Sequence, residues 1–263
     1  MDVSKLTKAR IEELIKEGKR FDGRKLLEFR DIVVETGISK NAEGSARVKF
    51  GDTEVIVGVK LDVGEPYADS PDSGALAVAA ELSPLASEKF ELGPPEIQAI
   101  ELARIVDRGI RESGFIDLKK LCIKEGELVW MVFIDIYVIN DDGNLIDAAA
   151  LASVAALREA VFPKLERDKV KYGEFTTKKL PLNEPPITIT CYKIGNSFIV
   201  DPTSLEEETA VGRLSVAISL DKEPYIHALQ KSGDMPLTEE EIFEAIKIAS
   251  SESKKLLNRL PKK

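Results

Sequence analysis

The hydrophobic and polar positions at the start of the chain predict a helix followed by an antiparallel β-meander. Apolar residues alternate with charges at helical spacing over residues 4–17, where Ser4 provides an N-cap and Gly18 a stop. Three segments rich in valine and isoleucine follow. They predict strands over residues 30–36, 45–50 and 53–63, and Gly51-Asp52 forms a hairpin turn between the last two.

The middle of the chain alternates strand and helix patterns. Residues 74–82 are small and apolar and predict a buried strand, whereas residues 96–113 have helical periodicity that ends at Gly114. The strongly apolar residues 128–140 predict a long strand. The alanine-rich residues 145–162 predict a helix whose small side chains let it pack closely on a sheet.

The last third of the chain begins with a charged segment, residues 164–186, that contains three prolines and is predicted to connect two subdomains. Beyond it the pattern predicts a hairpin, one further strand and a closing helix. These elements cover residues 187–194 with 197–200, 210–220 and 239–260, and Thr238 with Glu241 predicts a capping box. The order of elements predicts an α+β fold with mixed β-sheets and helices packed on them.

The composition limits the available chemistry. The chain has 263 residues and a formal net charge of −9, which argues against sequence-blind binding of nucleic acid over the whole surface but leaves a local basic patch open. A single histidine, His227, excludes a multi-histidine metal site, and a Ser-His-Asp triad would have to use that residue. Cys122 and Cys191 lack CxxC spacing, so we expect a reducing compartment, no zinc and no cofactor.

No apolar run is long enough to span a bilayer, and the first residues after Met1 are polar and charged. We therefore expect a soluble, cytoplasmic protein that does not bind membranes.

The turn between the strand 128–140 and the helix 145–162 is where many α/β folds bind phosphate, because free N–H groups and the helix dipole point at the ligand there. No Arg, Lys, Ser or Thr lies between Val138 and Ala152. The turn has aspartates and aliphatic residues instead, so the sequence predicts that phosphate is not bound here.

A basic stripe lies on the predicted helix 96–113. Arg104, Arg108 and Arg111 share one helical face, and Lys119 and Lys120 follow the helix. A solvated charged face is the simpler interpretation. The alternative is a track for the phosphodiesters of RNA, because acids are sparse on the stripe itself.

Two further segments contain charged residues with either a structural or a chemical role. In residues 19–24, Asp22 and the neighbouring arginines are suited to fixing a loop edge through bidentate pairs. Residues 201–208 contain Asp201 and Glu207 after a predicted strand. Carboxylates at a strand end can bind Mg²⁺ or act as a general acid, although an acidic surface turn is the alternative interpretation.

Together, these segments resemble the RNase PH family of phosphate-dependent 3′→5′ exoribonucleases. The matching segments are residues 20–24, 44–48 with 51–55, 101–111 and 201–213. The resemblance implies an RNase PH-like fold whose first half is similar to domain 2 of ribosomal protein S5. It also implies an N-terminal helix and loop (1–28), two RNase PH-like subdomains (29–165 and 187–263) and a connection (166–186).

The departures from the family pattern point to a loss of catalysis. Active members have a Gly-Gly-Ser/Thr-Arg type element that holds the attacking phosphate. At this position the chain has Gly143-Asn144-Leu145-Ile146. Asp147 follows, and we expect it to repel phosphate. An RNA-gripping arginine pair corresponds to Ile97 and Gln98. Asp201 and Glu207 match family aspartates and are predicted to be a vestigial acidic site, whereas Arg213 replaces a third aspartate.

The resemblance is strongest to the non-catalytic RNase PH-like subunits of the archaeal exosome. It implies a partner that is a catalytic RNase PH-like subunit, a ring of three such pairs, RNA-binding cap proteins and single-stranded RNA, with no catalytic residue and no metal in this chain. Two alternatives stay open: an active phosphorolytic exoribonuclease that uses Asp201 and Glu207, and a scaffold or ribosome-associated protein.

Overall fold

The structure is a computed structural model that describes residues 4–221 and 223–261. Its first sheet has six strands: β1 (Ile32–Thr36), β2 (Gly44–Phe50), β3 (Thr53–Gly64), β4 (Ala75–Leu82), β5 (Cys122–Lys124) and β6 (Leu128–Asn140). The order is β1-β2-β3-β6-β4, with β5 paired to β6. All neighbours are antiparallel except β4 and β6, which run parallel.

The remaining strands form two smaller sheets. A two-stranded sheet pairs β7 (Val161–Glu166) with β8 (Lys169–Lys179). A four-stranded antiparallel sheet has the order β10-β9-β11-β12. Its strands are β9 (Ile187–Ile194), β10 (Ser197–Val200), β11 (Gly212–Leu220) and β12 (Pro224–Ser232).

Within the described ranges, five α-helices complete the fold: α1 (Lys5–Lys16), α2 (Ile97–Glu112), α3 (Leu145–Glu159), α4 (Ser204–Glu207) and α5 (Glu239–Leu257). A 3-10 helix covers Leu118–Leu121. Helix α3 contacts β2 and β3 of the first sheet and β9 of the four-stranded sheet, so it joins both halves of the core. The predicted α+β fold is therefore confirmed.

Helix α3 packs closely on the first sheet because the contact has little side-chain volume on either side. Its residues Ala148, Ala149, Ala152 and Ala156 have no exposed surface. On the sheet, a methyl group added at Gly44 would overlap the carbonyl oxygen of Ala156. The close packing predicted from the alanine-rich sequence is confirmed.

The two helix caps that the sequence predicts are formed in the structure. Ser4 Oγ accepts a hydrogen bond from the Thr7 N–H at 3.1 Å, and the capping box of Thr238 and Glu241 is formed. None of the helices within the described ranges combines the length and apolar character that a bilayer crossing requires.

Three predictions of secondary structure need correction. Helix α3 ends at Glu159 rather than at residue 162, because the Val161 N–H donates to Glu43 O at 3.1 Å and the chain continues as β7. No strand was predicted in residues 164–186, but most of the β7–β8 hairpin lies there, and it turns at Arg167 and Asp168 with φ of 50° and 63°. Strand β12 was missed because it is a sheet edge with no clear alternation of buried residues.

Candidate functional site

A cavity of about 220 Å³ lies at the turn between β6 and α3, at the position that the motif resemblance assigns to the phosphate site of active family members. Its walls come from both halves of the chain: the end of β4 and the loop after it, the first turns of α2, the turn itself, α4 and the start of β11. The cavity therefore lies where the two halves of the chain meet.

The backbone of the turn is held in a conformation that few residues adopt. Gly143 has φ +85°, and a Cβ there would lie 2.6 Å from the carbonyl oxygen of Pro202. Asn144 follows at φ 60°, in the left-handed region that asparagine tolerates. The turn is thereby pressed against residues 202–204, which brings α4 to the N-terminal end of α3.

The N–H groups of this turn are already bound to carboxylates of the chain itself. The Gly143 N–H donates to Asp141 Oδ1 at 3.0 Å, and the Asn144 N–H donates to Glu207 Oε2 at 2.8 Å. Asn144 is the N-cap residue of α3, so its N–H is one of the donors that a helix N-terminus offers to a phosphate. The Glu207 carboxylate therefore takes one of the donors that an anionic ligand would use at this turn.

The remaining charges of the cavity balance one another or are negative. Lys89 pairs with Glu208, and Arg213 pairs with Glu101 at 2.8 Å. The pKa of Glu207 is raised, because the effect of burial is the largest. The hydrogen bond from the Asn144 N–H and the charge of the nearby Arg213 lower this pKa and oppose the effect of burial. Burial likewise raises the pKa of Asp141. Both cations that line the cavity, Lys89 and Arg213, are thus paired with carboxylates of the chain, and the buried Nε of Arg213 has no hydrogen-bond partner.

The first residues of α3 have two different roles. Leu145 and Ile146 line the cavity, as the sequence predicts. Asp147 does not, and the expectation that it repels phosphate in the site is wrong. It is fully buried beneath α3 and accepts hydrogen bonds from the Thr190 N–H at 3.1 Å and from Thr190 Oγ1 at 2.8 Å. Burial raises its pKa to about 7.

Asp201, the first residue of the predicted vestigial acidic site, has no exposed surface and does not line the cavity. Its carboxylate accepts hydrogen bonds from the Arg30 backbone N–H at 2.7 Å, Arg30 Nη2 at 2.7 Å, Arg24 Nη1 at 3.0 Å and Asn144 Nδ2 at 3.1 Å. Asp201 therefore ties the turn at Asn144 to the segment that precedes β1. Glu207 is the member of the pair that faces the cavity.

The loop of residues 19–24 fixes the neighbouring structure, in agreement with its predicted structural role. Arg24 Nε donates to Asp22 Oδ2 at 2.6 Å, and Arg20 forms a bidentate pair with Glu206 in which both side chains are buried. Arg30 was missed by the sequence analysis. It bridges Asp201 to Asp142 and to the carbonyl oxygen of Gly143, and no local pattern marks it because its partners are distant in sequence.

The arginine stripe lies along α2, beginning one turn beyond the cavity residue Glu101. Arg104, Arg108 and Arg111 are exposed. Arg108 Nη1 contacts Gln230 Oε1 at 3.2 Å, and Arg111 pairs with Asp107. Lys120 pairs with Asp117 at 2.8 Å, and Lys119 lies 3.7 Å from Asp72. Among the described residues, Arg104 has no ion pair or side-chain hydrogen bond.

Other chemistry has little support in the part of the chain that the structure describes. No group of three or more His, Cys, Asp or Glu residues there is arranged to hold a metal ion. His227 lies on β12 and is half-buried, and its Nε2 is 2.8 Å from Ser219 Oγ. Neither residue lines the cavity at the β6–α3 turn.

The fold and the cavity define an RNase PH-like protein, and comparison with known families agrees. Residues 28–163 match domain 1 of the 3′ exoribonuclease family (RNase PH), and residues 184–252 match domain 2. The chain belongs to this family, and the resemblance inferred from its motifs is confirmed.

The relatives are similar over nearly their whole length. Exosome complex component Rrp42 of Methanocella arvoryzae is 48% identical over 258 residues, which are 98% of this chain and 96% of the relative. The Rrp42 of Methanothermobacter thermautotrophicus is 45% identical, with 99% and 96% covered. A chain in the solved structure of the Archaeoglobus fulgidus exosome with RNA bound to the active site is 42% identical, with a TM-score of 0.88 and 97% and 98% covered.

Proposed function

We propose that this protein is a non-catalytic subunit of an archaeal exosome, a complex that degrades RNA from the 3′ end. It pairs with a catalytic RNase PH-like subunit, three such pairs form a ring, and RNA-binding cap proteins dock on the ring. Its role is to complete the partner's active site and to help hold single-stranded RNA. The full-length similarity to Rrp42 exosome components supports membership in the complex.

The observation that carries the non-catalytic role is that Glu207 accepts a hydrogen bond from the N–H of Asn144, the N-cap residue of α3. Phosphorolysis needs inorganic phosphate held in line with the scissile bond. Here the Asn144 N–H is bound to Glu207 and the Gly143 N–H to Asp141, while Leu145 and Ile146 have no side-chain donor. A phosphate in this cavity would meet carboxylates and aliphatic walls.

The isolated chain is expected to release no nucleoside diphosphates from a single-stranded RNA in the presence of Mg²⁺ and phosphate, because it has no site for the attacking anion. Mixed with the catalytic subunit of the same organism, it is expected to raise the rate above that of the catalytic subunit alone. Chromatographic detection of nucleoside diphosphates measures both results, and calorimetric titration with millimolar phosphate is expected to show no binding to the isolated chain.

The control is a Glu207→Gln variant of the isolated chain. Release of nucleoside diphosphates by the wild type and its loss in this variant would overturn the proposal in favour of an active phosphorolytic enzyme. A monodisperse monomer that does not bind the catalytic subunit would instead favour a scaffold outside the exosome.

We further propose that the arginine stripe contacts RNA in the assembled complex. Arg104→Ala combined with Arg108→Ala is expected to weaken RNA binding about tenfold or more, because each arginine that binds a phosphate releases counterions. The slope of log K against log salt is expected to become shallower by about 0.7 for each phosphate that the variant no longer neutralises. Arg111→Ala should have a smaller effect because Asp107 already neutralises that guanidinium.

A matched control is Arg10→Ala, which removes an exposed helical arginine that pairs with Glu13 far from α2 in the chain. Binding by filter retention or fluorescence anisotropy over a salt series distinguishes the two. An unchanged slope in the double variant would remove Arg104 and Arg108 from the RNA path. Lys119 and Lys120 form a second, weaker pair of candidates for the same measurement.

A further inference from the structure

The β7–β8 hairpin is a basic element on an acidic protein. Residues 161–179 contain six basic and three acidic residues, whereas the whole chain has a formal net charge of −9. The proposed function assigns no role to this hairpin. Local positive charge on a protein that is acidic overall is typical of a surface that attracts an anionic ligand.

The positive charge at the tip of the hairpin is not neutralised by the chain itself. Lys164 and Lys171 lie directly opposite each other on the two strands, and the two glutamates of the hairpin pair with them at 2.9 Å and 2.8 Å. Like charges in this cross-strand position destabilise a hairpin, so these lysines need both glutamates. Arg167 and Lys169 are exposed and form no ion pair or side-chain hydrogen bond with the residues that the structure describes.

Tyr172 on β8 presents an aromatic ring in a fixed position. Its side-chain hydroxyl donates to Asp62 Oδ2 at 3.1 Å, and Lys60 Nζ lies over the ring at 5.5 Å from its centroid. Tyr172 is nevertheless 65% exposed. A nucleic-acid base can stack on such a ring with little further loss of side-chain freedom.

The base of the hairpin is anchored in the core. Phe162 on β7 is buried, and its ring centroid lies 5.1 Å from that of Trp130. Thr176 Oγ1 donates to Phe162 O at 2.7 Å and so ties the two strands together. The tip therefore projects from a fixed base, which reduces the entropy that a ligand would have to remove on binding.

The tip of the hairpin lies near the basic segment that follows the arginine stripe. The pKa of Lys124 on β5 is raised by its hydrogen bond with Glu127 and, to a smaller extent, by the charge of Asp168 at the hairpin turn. Lys124 comes directly after the 3-10 helix that contains Lys119 and Lys120, and this helix follows α2. Basic residues thus continue from α2 through β5 to the tip of the hairpin.

These features favour single-stranded RNA as the ligand over an acidic protein. Unpaired cations alone would suit either of them, but the exposed ring beside the cations is suited to stacking on a base. Double-stranded RNA keeps its bases stacked inside the helix and would leave the ring unused.

We propose that the β7–β8 hairpin is a second contact for single-stranded RNA, in which a base stacks on Tyr172 while Arg167 and Lys169 bind neighbouring phosphates. This assignment rests on the proposed function, because that function supplies RNA as the ligand. The contact is separate from the arginine stripe, which offers cations but no aromatic side chain.

Tyr172→Ala is expected to weaken the binding of a single-stranded oligoadenylate to the complex with the catalytic subunit about tenfold, because one base loses its stacking platform. The slope of log K against log salt is expected to stay as in the wild type, because stacking releases no counterions. Tyr172→Phe keeps the ring and is expected to bind within about twofold of the wild type. Fluorescence anisotropy in the absence of phosphate and Mg²⁺ measures the affinity while the RNA stays intact.

The cations are tested by Arg167→Asn/Lys169→Gln, in which asparagine tolerates the φ of 50° at position 167. This variant is expected to make the salt slope shallower by about 0.7 for each phosphate that is no longer neutralised. The matched control is Lys247→Gln/Lys254→Gln, which removes two exposed lysines of α5 and should keep the wild-type slope. Urea denaturation of each isolated variant checks that the fold is kept.

Wild-type affinity and slope in both hairpin variants would overturn the hairpin contact, and a loss in the Arg104→Ala/Arg108→Ala variant would then leave the proposed function standing. If the wild-type complex does not bind the RNA, both fail. An equal loss in Tyr172→Phe and Tyr172→Ala would exclude stacking and overturn the proposal. If the hairpin variants lose association with a cap protein while the ring alone binds RNA as the wild type does, the hairpin is a protein contact, and the proposal is overturned as well.

Discussion

Asp201→Asn is expected to lower the free energy of unfolding by about 3–5 kcal/mol, because it removes the charge that two arginine side chains share in the interior. The carboxylate of Asp201 is fully buried and pairs with Arg24 at 3.0 Å and with Arg30 at 2.7 Å. An amide in its place turns N–H groups toward guanidinium N–H groups. Asparagine is the suitable replacement because Asp201 has φ 49°, which asparagine tolerates better than alanine.

The matched control is Asp142→Asn, which removes the other acid paired with Arg30. The Asp142 side chain is 36% exposed, so its pair is screened by solvent and the expected loss is below about 1 kcal/mol. Urea denaturation at one pH measures both variants. Equal losses in the two would contradict the assignment of Asp201 as the residue that holds the turn at Asn144 to the segment before β1.

Asp147→Asn is expected to remove a pH dependence of stability that the wild type has between about pH 4 and pH 7. Burial raises the pKa of Asp147 from 3.8 to about 7. In this window the folded chain holds a proton that the unfolded chain releases, so the wild type loses stability as pH rises. Three pKa units correspond to about 4 kcal/mol. The variant is expected to equal the wild type within about 1 kcal/mol near pH 4.5 and to exceed it by about 2–4 kcal/mol at pH 8.

An asparagine at position 147 keeps an acceptor for the Thr190 N–H and supplies an N–H donor toward Thr190 Oγ1, so the hydrogen bonds survive the substitution. Denaturation curves from pH 4.5 to pH 8 give the free energy of unfolding of the variant and of the wild type at each pH. The contributions of other titrating groups cancel in the difference between the two. Asp72→Asn, on the exposed loop before β4, is a control that should keep the wild-type profile. A difference between Asp147→Asn and the wild type that does not change with pH would show that Asp147 is charged throughout.

Part of the site was accessible from the sequence because it depends on residues that are adjacent in the chain. The lack of cationic and hydroxyl side chains in the β6–α3 turn is a local fact, and Leu145 and Ile146 line the cavity as predicted. The direction of Asp147 was not accessible. It is one residue further along the same helix, and only the packing of α3 on β9 turns it toward Thr190.

The acidic pair illustrates the same limit. Asp201 and Glu207 are six positions apart and were grouped by their chemistry. Asp201 is buried among arginines from the segment before β1, whereas Glu207 faces the cavity. The donors that separate their roles come from Arg24, Arg30 and Asn144, which are distant in the sequence. No pattern within a window of the sequence carries that information.

The sequence by itself determined the periodicity of the helices and long strands, the caps at Ser4 and Thr238, and the side chains missing from the turn at Gly143. These follow from interactions within a few residues, which composition and spacing fix. Only the tertiary structure decided that Glu207 binds the Asn144 N–H, that Asp147 is buried and that Leu92 and Ile97 are exposed. Burial and ion pairing depend on which distant elements meet, and the meeting of α3 with both sheets is what sets them.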